Sequence, residues 1–166
     1  MSNLKIRIAN ENDTTVISEF ICLHFNGYEP IQLFHVRKGD VMDPPPKDLV
    51  KECLLSGTTV MAYEDDTLAG VLIAGEITSE VAEKDLEYAE DHGPKGVDVF
   101  KFLSYIGEKA DICNRMKIQR CLHIHILSVH RDYLGKGIAK SLFKYCIENG
   151  KSKNFPAFSV DCTSFY

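Results

Sequence analysis

The sequence lacks the features typical of membrane proteins, secreted proteins and proteins with cysteine-based metal sites. No apolar run approaches the length needed to cross a membrane, and residues 1–12 carry no hydrophobic region of a signal peptide. The six cysteines form no C-x-x-C pair, which disfavours a cysteine-based metal site or a secreted disulfide framework. We therefore expect a cytoplasmic protein that is not a membrane protein and that binds no metal.

Basic residues are also in the minority. The 19 Lys and Arg residues against 24 Asp and Glu residues give a formal net charge of -5 at pH 7. Proteins that bind nucleic acid usually carry a basic stripe, so this balance argues against such a partner. A length of 166 residues with 45% hydrophobic content suits one globular domain with its own core, and we expect a single domain over 1–166.

Hydrophobic periodicity predicts a mixed α/β fold. Leu4–Ile8 alternates apolar and charged residues as a half-buried strand does, and a helix follows to residue 25 with an N-cap at Asn12, Asp13 or Thr14. The other predicted elements are a helix over 47–55, a strand hairpin over 58–63 and 67–78, a loop over 79–94, a helix over 96–116, a strand over 122–129, a helix to about residue 149 and a strand over 155–162.

Two glycines, Gly135 and Gly137, lie in the turn between the predicted strand over 122–129 and the helix that follows. The first N–H groups of a helix have no partner inside it, and the helix dipole adds partial positive charge there. Glycines let the backbone approach a phosphate without a Cβ in the way. The pattern predicts that residues 134–140 bind a phosphorylated ligand.

The turn alone leaves alternatives open. The P-loop pattern of nucleotide triphosphate binders is absent. The dinucleotide-binding fingerprint requires a third glycine where this chain has Lys140. Asp161, at the end of the next predicted strand, does match the position of the acid that binds the ribose. A third interpretation is that the glycines serve turn geometry alone.

The stretch Leu134-Gly135-Lys136-Gly137-Ile138-Ala139 resembles the acetyl-CoA signature of the GCN5-related N-acetyltransferases (GNAT), Arg/Gln-x-x-Gly-x-Gly/Ala. Leu134 departs from the usual Arg or Gln, but a leucine still supplies the backbone N–H. The resemblance implies the GNAT fold: a mixed, mostly antiparallel central sheet flanked by helices, with a splayed strand pair at the acetyl-CoA site. The acetyl-CoA-binding residues it implies are Leu127, Ser128, Val129, Leu134, Gly135, Lys136, Gly137, Ile138, Ala139, Lys140 and Ser141.

Near the N-terminus, the segment Phe25-Asn26-Gly27-Tyr28-Glu29-Pro30-Ile31 is similar to the Glu-Pro-Leu element of insect arylalkylamine N-acetyltransferases. The resemblance implies that Glu29 is the general base, acting through ordered water, and that Tyr28 and Pro30 contact the substrate. The implied reaction is direct acetyl transfer to a small primary amine such as dopamine, serotonin, tyramine or octopamine.

The segment over 161–166 resembles the family's Cys-Ser-Ser-x-Tyr-Ser element, whose hydroxyls assist proton transfer, and Thr163 takes the first hydroxyl position. The last serine would fall beyond Tyr166, and the final helix and two strands of the fold would follow, so we expect a domain truncated at its C-terminus. Two other functions remain open: a non-catalytic acyl-CoA-binding module, and an acetyltransferase of agmatine or polyamine-type amines.

The remaining titratable residues give weaker signals. His123 and His125 share one face of the predicted strand, which favours packed, hydrogen-bonded histidines over metal ligands or a proton relay. Lys136, Lys140 and Lys144 fall at i, i+4 and i+8, where they either aid phosphate binding or form a solvated face. The other histidines, His24 and His130 among them, carry no clear signal.

Overall fold

The computed structural model describes residues 4–26, 28–31, 47–78 and 93–163, with side chains described from residue 49 in the third range and from residue 101 in the last. Most of the predicted loop over 79–94 lies outside these residues. Among the described residues, no helix combines the length and apolar composition that a membrane span needs.

A five-stranded sheet forms the centre of the fold, and its strands lie side by side in chain order. The first three pairings are antiparallel and the last is parallel, which confirms the predicted mixed, mostly antiparallel sheet. The strands are β1 (Leu4–Ile8), β2 (Val60–Glu64), β3 (Thr67–Ile77), β4 (Cys121–Val129) and β5 (Phe158–Val160).

The described helices connect these strands, and most follow the predicted positions. They are α1 (Thr14–Ile21), α2 (Lys47–Leu55), α3 (Gly93–Ala110), α4 (Ile112–Met116) and α5 (Ile138–Ser152). The prediction of one helix over 96–116 is wrong, because Asp111 adopts a left-handed conformation with φ of 40° and separates α3 from α4. The last strand is also shorter than the predicted 155–162, since residues 161–163 leave the sheet.

The start of α1 differs from the predicted side-chain cap. Asp13 occupies the N-cap position but makes no capping bond. Its carboxylate instead forms two 2.7 Å bonds with the guanidinium of Arg7 on β1 and accepts a bond from the N–H of Asn10. Because of the Arg7 bonds, the pKa of Asp13 is lowered. The carboxylate thus ties α1 to the edge strand of the sheet.

Helices cover both faces of the sheet. On one face α5 packs Ile138, Leu142 and Cys146 into the core, and on the other α1 and α2 contribute Ile17 and Val50 to a second apolar cluster. At the end of α1 the chain continues as a π-helical turn over Cys22–Asn26. This turn leads directly into the segment that contains Glu29.

The two last strands separate after a short parallel contact. β5 pairs with β4 over Leu122 to Ile124, and beyond this point β4 pairs, within the described part of the chain, with β3 alone. His125 is an extra residue in the β4 ladder, since Ile73 pairs with Ile126 and Ala74 pairs with Ile124. The second half of β4 therefore presents an open edge next to the N-terminus of α5.

Candidate functional site

A cleft of about 280 Å³ lies where the open half of β4 meets the segment after the π-helical turn. It brings together four parts of the chain that are distant in sequence: the end of the π-helical turn, the Glu29 segment, the end of β4 with its following turn, and the residue range after β5. Its lining residues are His24, Phe25, Tyr28, Glu29, Pro30, Leu127, Ser128, Val129, Arg131, Leu134 and Thr163.

Eight of the fifteen site residues expected from the sequence thus share one cleft, including Glu29 and Thr163. The backbone fixes the Glu29 segment, because the N–H groups of Tyr28 and Glu29 both donate to the carbonyl of Phe25, at 2.8 and 3.0 Å. The Glu29 side chain is half-buried, and its Oε1 atom is shielded from solvent. Thr163 lies on the same lining and is exposed.

The open edge of β4 supplies the floor of the cleft. Leu127, Ser128 and Val129 pair with β3 on one side, which leaves their other side facing the cleft. The Ser128 hydroxyl is buried and has no hydrogen-bond partner in the described part of the chain. A buried hydroxyl without a partner carries a free-energy cost that a bound polar ligand would remove. This edge can accept an extended, amide-bearing chain as an added strand.

The glycine turn lies beside the cleft and has the backbone that an anion site requires. Gly135 and Gly137 have φ values of 77° and 78°, and a Cβ at either would meet nothing within 4 Å. The first backbone hydrogen bond of α5 runs from the N–H of Ser141 to the carbonyl of Gly137. The N–H groups of Ile138, Ala139 and Lys140 come before that bond, so they have no partner inside the helix.

The lysines near the turn differ from the expectation that Lys136, Lys140 and Lys144 lie at i, i+4 and i+8 of the same helix. Lys136 precedes the start of α5, and its ammonium lies 3.9 Å from Glu64 Oε1 and 4.3 Å from the centre of the Tyr133 ring. Lys144 lies 3.8 Å from Glu148 on the exposed face of α5. The three lysines therefore do not form one helix face. Ile138 is buried in the core, so its contribution to an anion site is limited to its backbone.

Arg131 is a cleft residue that the sequence did not single out. Its guanidinium carbon lies 3.4 Å from the centre of the Tyr28 ring, a close cation–π contact. Arg131 begins the 3-10 turn Arg131–Tyr133, which is separated from β4 by His130 alone. The contact joins the two halves of the cleft wall, and nothing in the local sequence pairs residue 28 with residue 131.

His24 is the second unexpected lining residue. Its ring centre lies 4.6 Å from that of Phe20 and 4.2 Å from that of His130, which is adjacent to Arg131. Burial is the largest cause of a lowered pKa for His24; the charges of His130 and Arg131 lower it further, and the charge of Asp132 acts in the opposite direction. The ring is therefore neutral near pH 7. The i, i+4 spacing of Phe20 and His24, five residues before Glu29, is the sequence signal that would have found it.

The strand histidines lie outside the cleft lining. His123 Nδ1 is 2.8 Å from the hydroxyl of Ser159, and its Nε2 is 3.8 Å from the carboxylate of Asp161. Burial lowers the pKa of His123 and lowers that of His125 to about 3. Their ring centres are 4.6 Å apart. The hydrogen bond and burial agree with packed, neutral histidines, and no group of three or more His, Cys, Asp or Glu within the described ranges is arranged to hold a metal.

Comparison with known proteins agrees with this geometry. The family model described as the acetyltransferase (GNAT) family matches residues 32–165. No curated protein matches the sequence. Among solved structures, mosquito arylalkylamine N-acetyltransferase like 5b has a TM-score of 0.86 at 25% identity, with 98% of this chain and 78% of that chain covered.

Two further structures have the same fold. Drosophila melanogaster polyamine N-acetyltransferase, which forms N-acetylagmatine, has a TM-score of 0.85 at 23% identity over 99% of this chain and 78% of that one. Arylalkylamine N-acetyltransferase 2 from Aedes aegypti has a TM-score of 0.84 at 22% identity over 98% and 77%. The family match, the mixed open sheet and the glycine turn lead to one assignment: the chain belongs to the acetyltransferase (GNAT) family.

Proposed function

We propose that the chain transfers the acetyl group of acetyl-CoA to a small primary amine, and that arylalkylamines such as dopamine, serotonin, tyramine and octopamine are its substrate class. One observation carries the proposal: a single cleft borders both the open edge of β4 and the carboxylate of Glu29. Acyl transfer needs a thioester and a nucleophilic amine held in contact, and the cleft has a surface suited to each.

Acetyl-CoA fits the residues around the glycine turn. The backbone N–H groups over 138–140 would hold the pyrophosphate, and the open space above Gly135 and Gly137 allows close approach. The edge over 127–129 would pair with the pantetheine amides, and the buried Ser128 hydroxyl would gain a partner there. The thioester supplies an activated acetyl carbon when bound.

Glu29 is the residue that makes the amine reactive in this proposal. An alkylammonium ion is not nucleophilic, so its proton must leave before the nitrogen attacks. Glu29 accepts that proton through a water molecule, the nitrogen forms a bond to the acetyl carbon, and the bond from that carbon to sulfur breaks. Thr163 lies on the same wall, where its hydroxyl can pass the second proton that the nitrogen loses to the departing thiolate. The products are the N-acetylamine and CoA.

An amine panel tests this function. The protein is mixed with acetyl-CoA and one amine at a time, and release of the CoA thiol is followed together with the mass of the amine product. We expect thiol release that depends on an arylalkylamine and matches N-acetylamine formed. Binding of acetyl-CoA without transfer to any amine would contradict the proposal and favour a non-catalytic acyl-CoA-binding module.

We also propose a domain organisation and a cellular location for the enzyme. We infer that residues 1–166 act as one N-acetyltransferase domain and that the protein works in the cytoplasm. The six cysteines, all within the described residues, form no disulfide, and this supports a reducing compartment. Fractionation of cells followed by detection of the protein in the cytosolic or the particulate fraction tests the location.

A further inference from the structure

The described lining of the cleft has an unusual charge arrangement. Glu29 is its one carboxylate and Arg131 its one permanent cation, while the other described lining residues are apolar, aromatic, hydroxyl-bearing or, for His24, a neutral imidazole. Arg131 and Tyr28 are both exposed, so the Arg131 charge lies at the mouth of the cleft. Water and salt screen it there in part, and it acts on ligand groups within a few ångströms.

The position of Arg131 is fixed by its contacts. Its guanidinium lies over the Tyr28 ring at 3.4 Å, and the following turn is closed by a bond from the N–H of Leu134 to the carbonyl of Arg131. No carboxylate in the described part of the chain pairs with Arg131 within 4.0 Å. The charges of Arg131 and of the adjacent Asp132 act on the pKa of His24 in opposite directions.

We propose that Arg131, held against Tyr28, is a specificity-determining residue that restricts the cleft to amines with one cationic group. The proposal rests on the proposed function and sharpens it. The ammonium of the substrate is placed at Glu29, and the rest of the substrate extends between Tyr28, Phe25 and Arg131. An uncharged aromatic body suits these walls, and its π face is itself a partner for the guanidinium.

A second cationic group on the substrate would be repelled by Arg131. The guanidinium of agmatine or the second ammonium of a polyamine would enter a small cleft that already holds a guanidinium. Like charges a few ångströms apart repel even at an exposed site, and the repulsion is largest at low ionic strength. Arg131 therefore separates arylalkylamine from agmatine or polyamine chemistry in this chain.

The test compares tyramine with agmatine. For each amine, kcat/KM is measured with the wild type and with Arg131→Gln, which removes the charge and keeps a long polar side chain. We expect the tyramine-to-agmatine ratio, measured at low ionic strength, to fall by about fivefold in Arg131→Gln. Arg131→Lys keeps the charge and should retain most of the preference. Arg115→Gln, the same change at an exposed position on α4, should leave the ratio unchanged.

Two measurements separate this claim from the proposed function. Calorimetric binding of tyramine and agmatine to the CoA-bound protein reports selectivity without catalysis, and acetyl-CoA affinity reports the cofactor site. If neither amine is acetylated but agmatine binds better to Arg131→Gln than to the wild type, the charge proposal holds and the function does not. An unchanged amine ratio in Arg131→Gln overturns the proposal, and weaker acetyl-CoA binding with that result assigns Arg131 to the phosphates.

Discussion

Glu29 and Thr163 lie on the wall of one cleft, although Glu29 follows the first helical segment and Thr163 follows the last strand. Because the two residues face the same space, they can handle a proton at the amine and at the thiolate of one reaction. Thr163→Val has nearly the same shape without the hydroxyl, and we expect it to lower kcat by about tenfold or more. Thr163→Ser should retain activity. Equal kcat values for the Val and Ser variants would remove the hydroxyl from the mechanism.

The left-handed backbone of Gly137 should matter for cofactor affinity. A Cβ at this position meets nothing within 4 Å, so Gly137→Ala should fold, with a backbone cost of about 1–2 kcal/mol from the φ of 78°. The added methyl group stands at the N-terminus of α5, and we expect acetyl-CoA affinity to fall by about tenfold. Calorimetric titration measures this change.

Gly107→Ala is the matched control for that variant. Gly107 lies in α3, where a Cβ also meets nothing within 4 Å, and alanine is the better helix former. We expect unchanged acetyl-CoA affinity and slightly raised stability. If Gly137→Ala binds acetyl-CoA as tightly as Gly107→Ala does, the phosphate site is not at this turn.

Gly150 fixes how closely α5 approaches the sheet. A Cβ there would lie 2.6 Å from Phe158 Cε1 and 2.7 Å from Leu122 Cδ2, so Gly150→Ala must displace β4, β5 or the helix. We expect a loss of about 1–3 kcal/mol in the free energy of unfolding, measured by urea denaturation. A stability equal to that of the wild type would show that the helix does not pack as closely as the structure has it.

The half-buried strand histidines predict a pH dependence of stability. The folded protein holds His125 neutral with a pKa of about 3, whereas the unfolded chain protonates it below its ordinary value of 6.5. The unfolded state thus binds more protons below pH 6.5, and stability falls by up to about 1.4 kcal/mol per pH unit for this group. The loss continues until the pH approaches the folded value.

His125→Gln isolates that contribution. The difference in free energy of unfolding between the variant and the wild type at about pH 7.5 gives the packing cost of the substitution. The change in the variant's own free energy of unfolding between about pH 7.5 and about pH 5 gives the titration of the remaining groups. We expect a smaller drop between the two pH values than in the wild type. An equal drop would mean that His125 is protonated to the same extent in the folded and unfolded states.

The local parts of the fold were predictable from the sequence. The strand before the glycine turn was predicted to within one residue of β4, and α2 was predicted at its observed bounds, because hydrophobic periodicity and breakers act over a few residues. The break at Asp111 was missed because a non-glycine residue adopts a left-handed conformation there. Nothing in residue type alone signals such a break.

Contacts between segments that are distant in sequence determine the features that were not predicted. Asp13, one of the three N-cap residues expected for the first helix, bonds instead to Arg7 across the β1–α1 turn, where two charged bonds outweigh one cap. The Arg131–Tyr28 contact joins segments that are far apart in the chain, so no window of sequence contains it. The cleft and its charge therefore emerge only when the sheet edge and the π-helical turn are placed together.

Glu29 is the residue on which the proposed reaction depends most, as the base that draws the proton from the amine. The direct measurement is the rate of N-acetyltyramine formation by the wild type and by Glu29→Gln, with acetyl-CoA affinity determined on the same samples. Glu19→Gln, the same change on an exposed position of α1, is the control and should behave as the wild type does. We predict that Glu29→Gln lowers kcat by about a hundredfold while acetyl-CoA affinity stays within about twofold. Turnover of Glu29→Gln equal to that of the wild type would contradict the account.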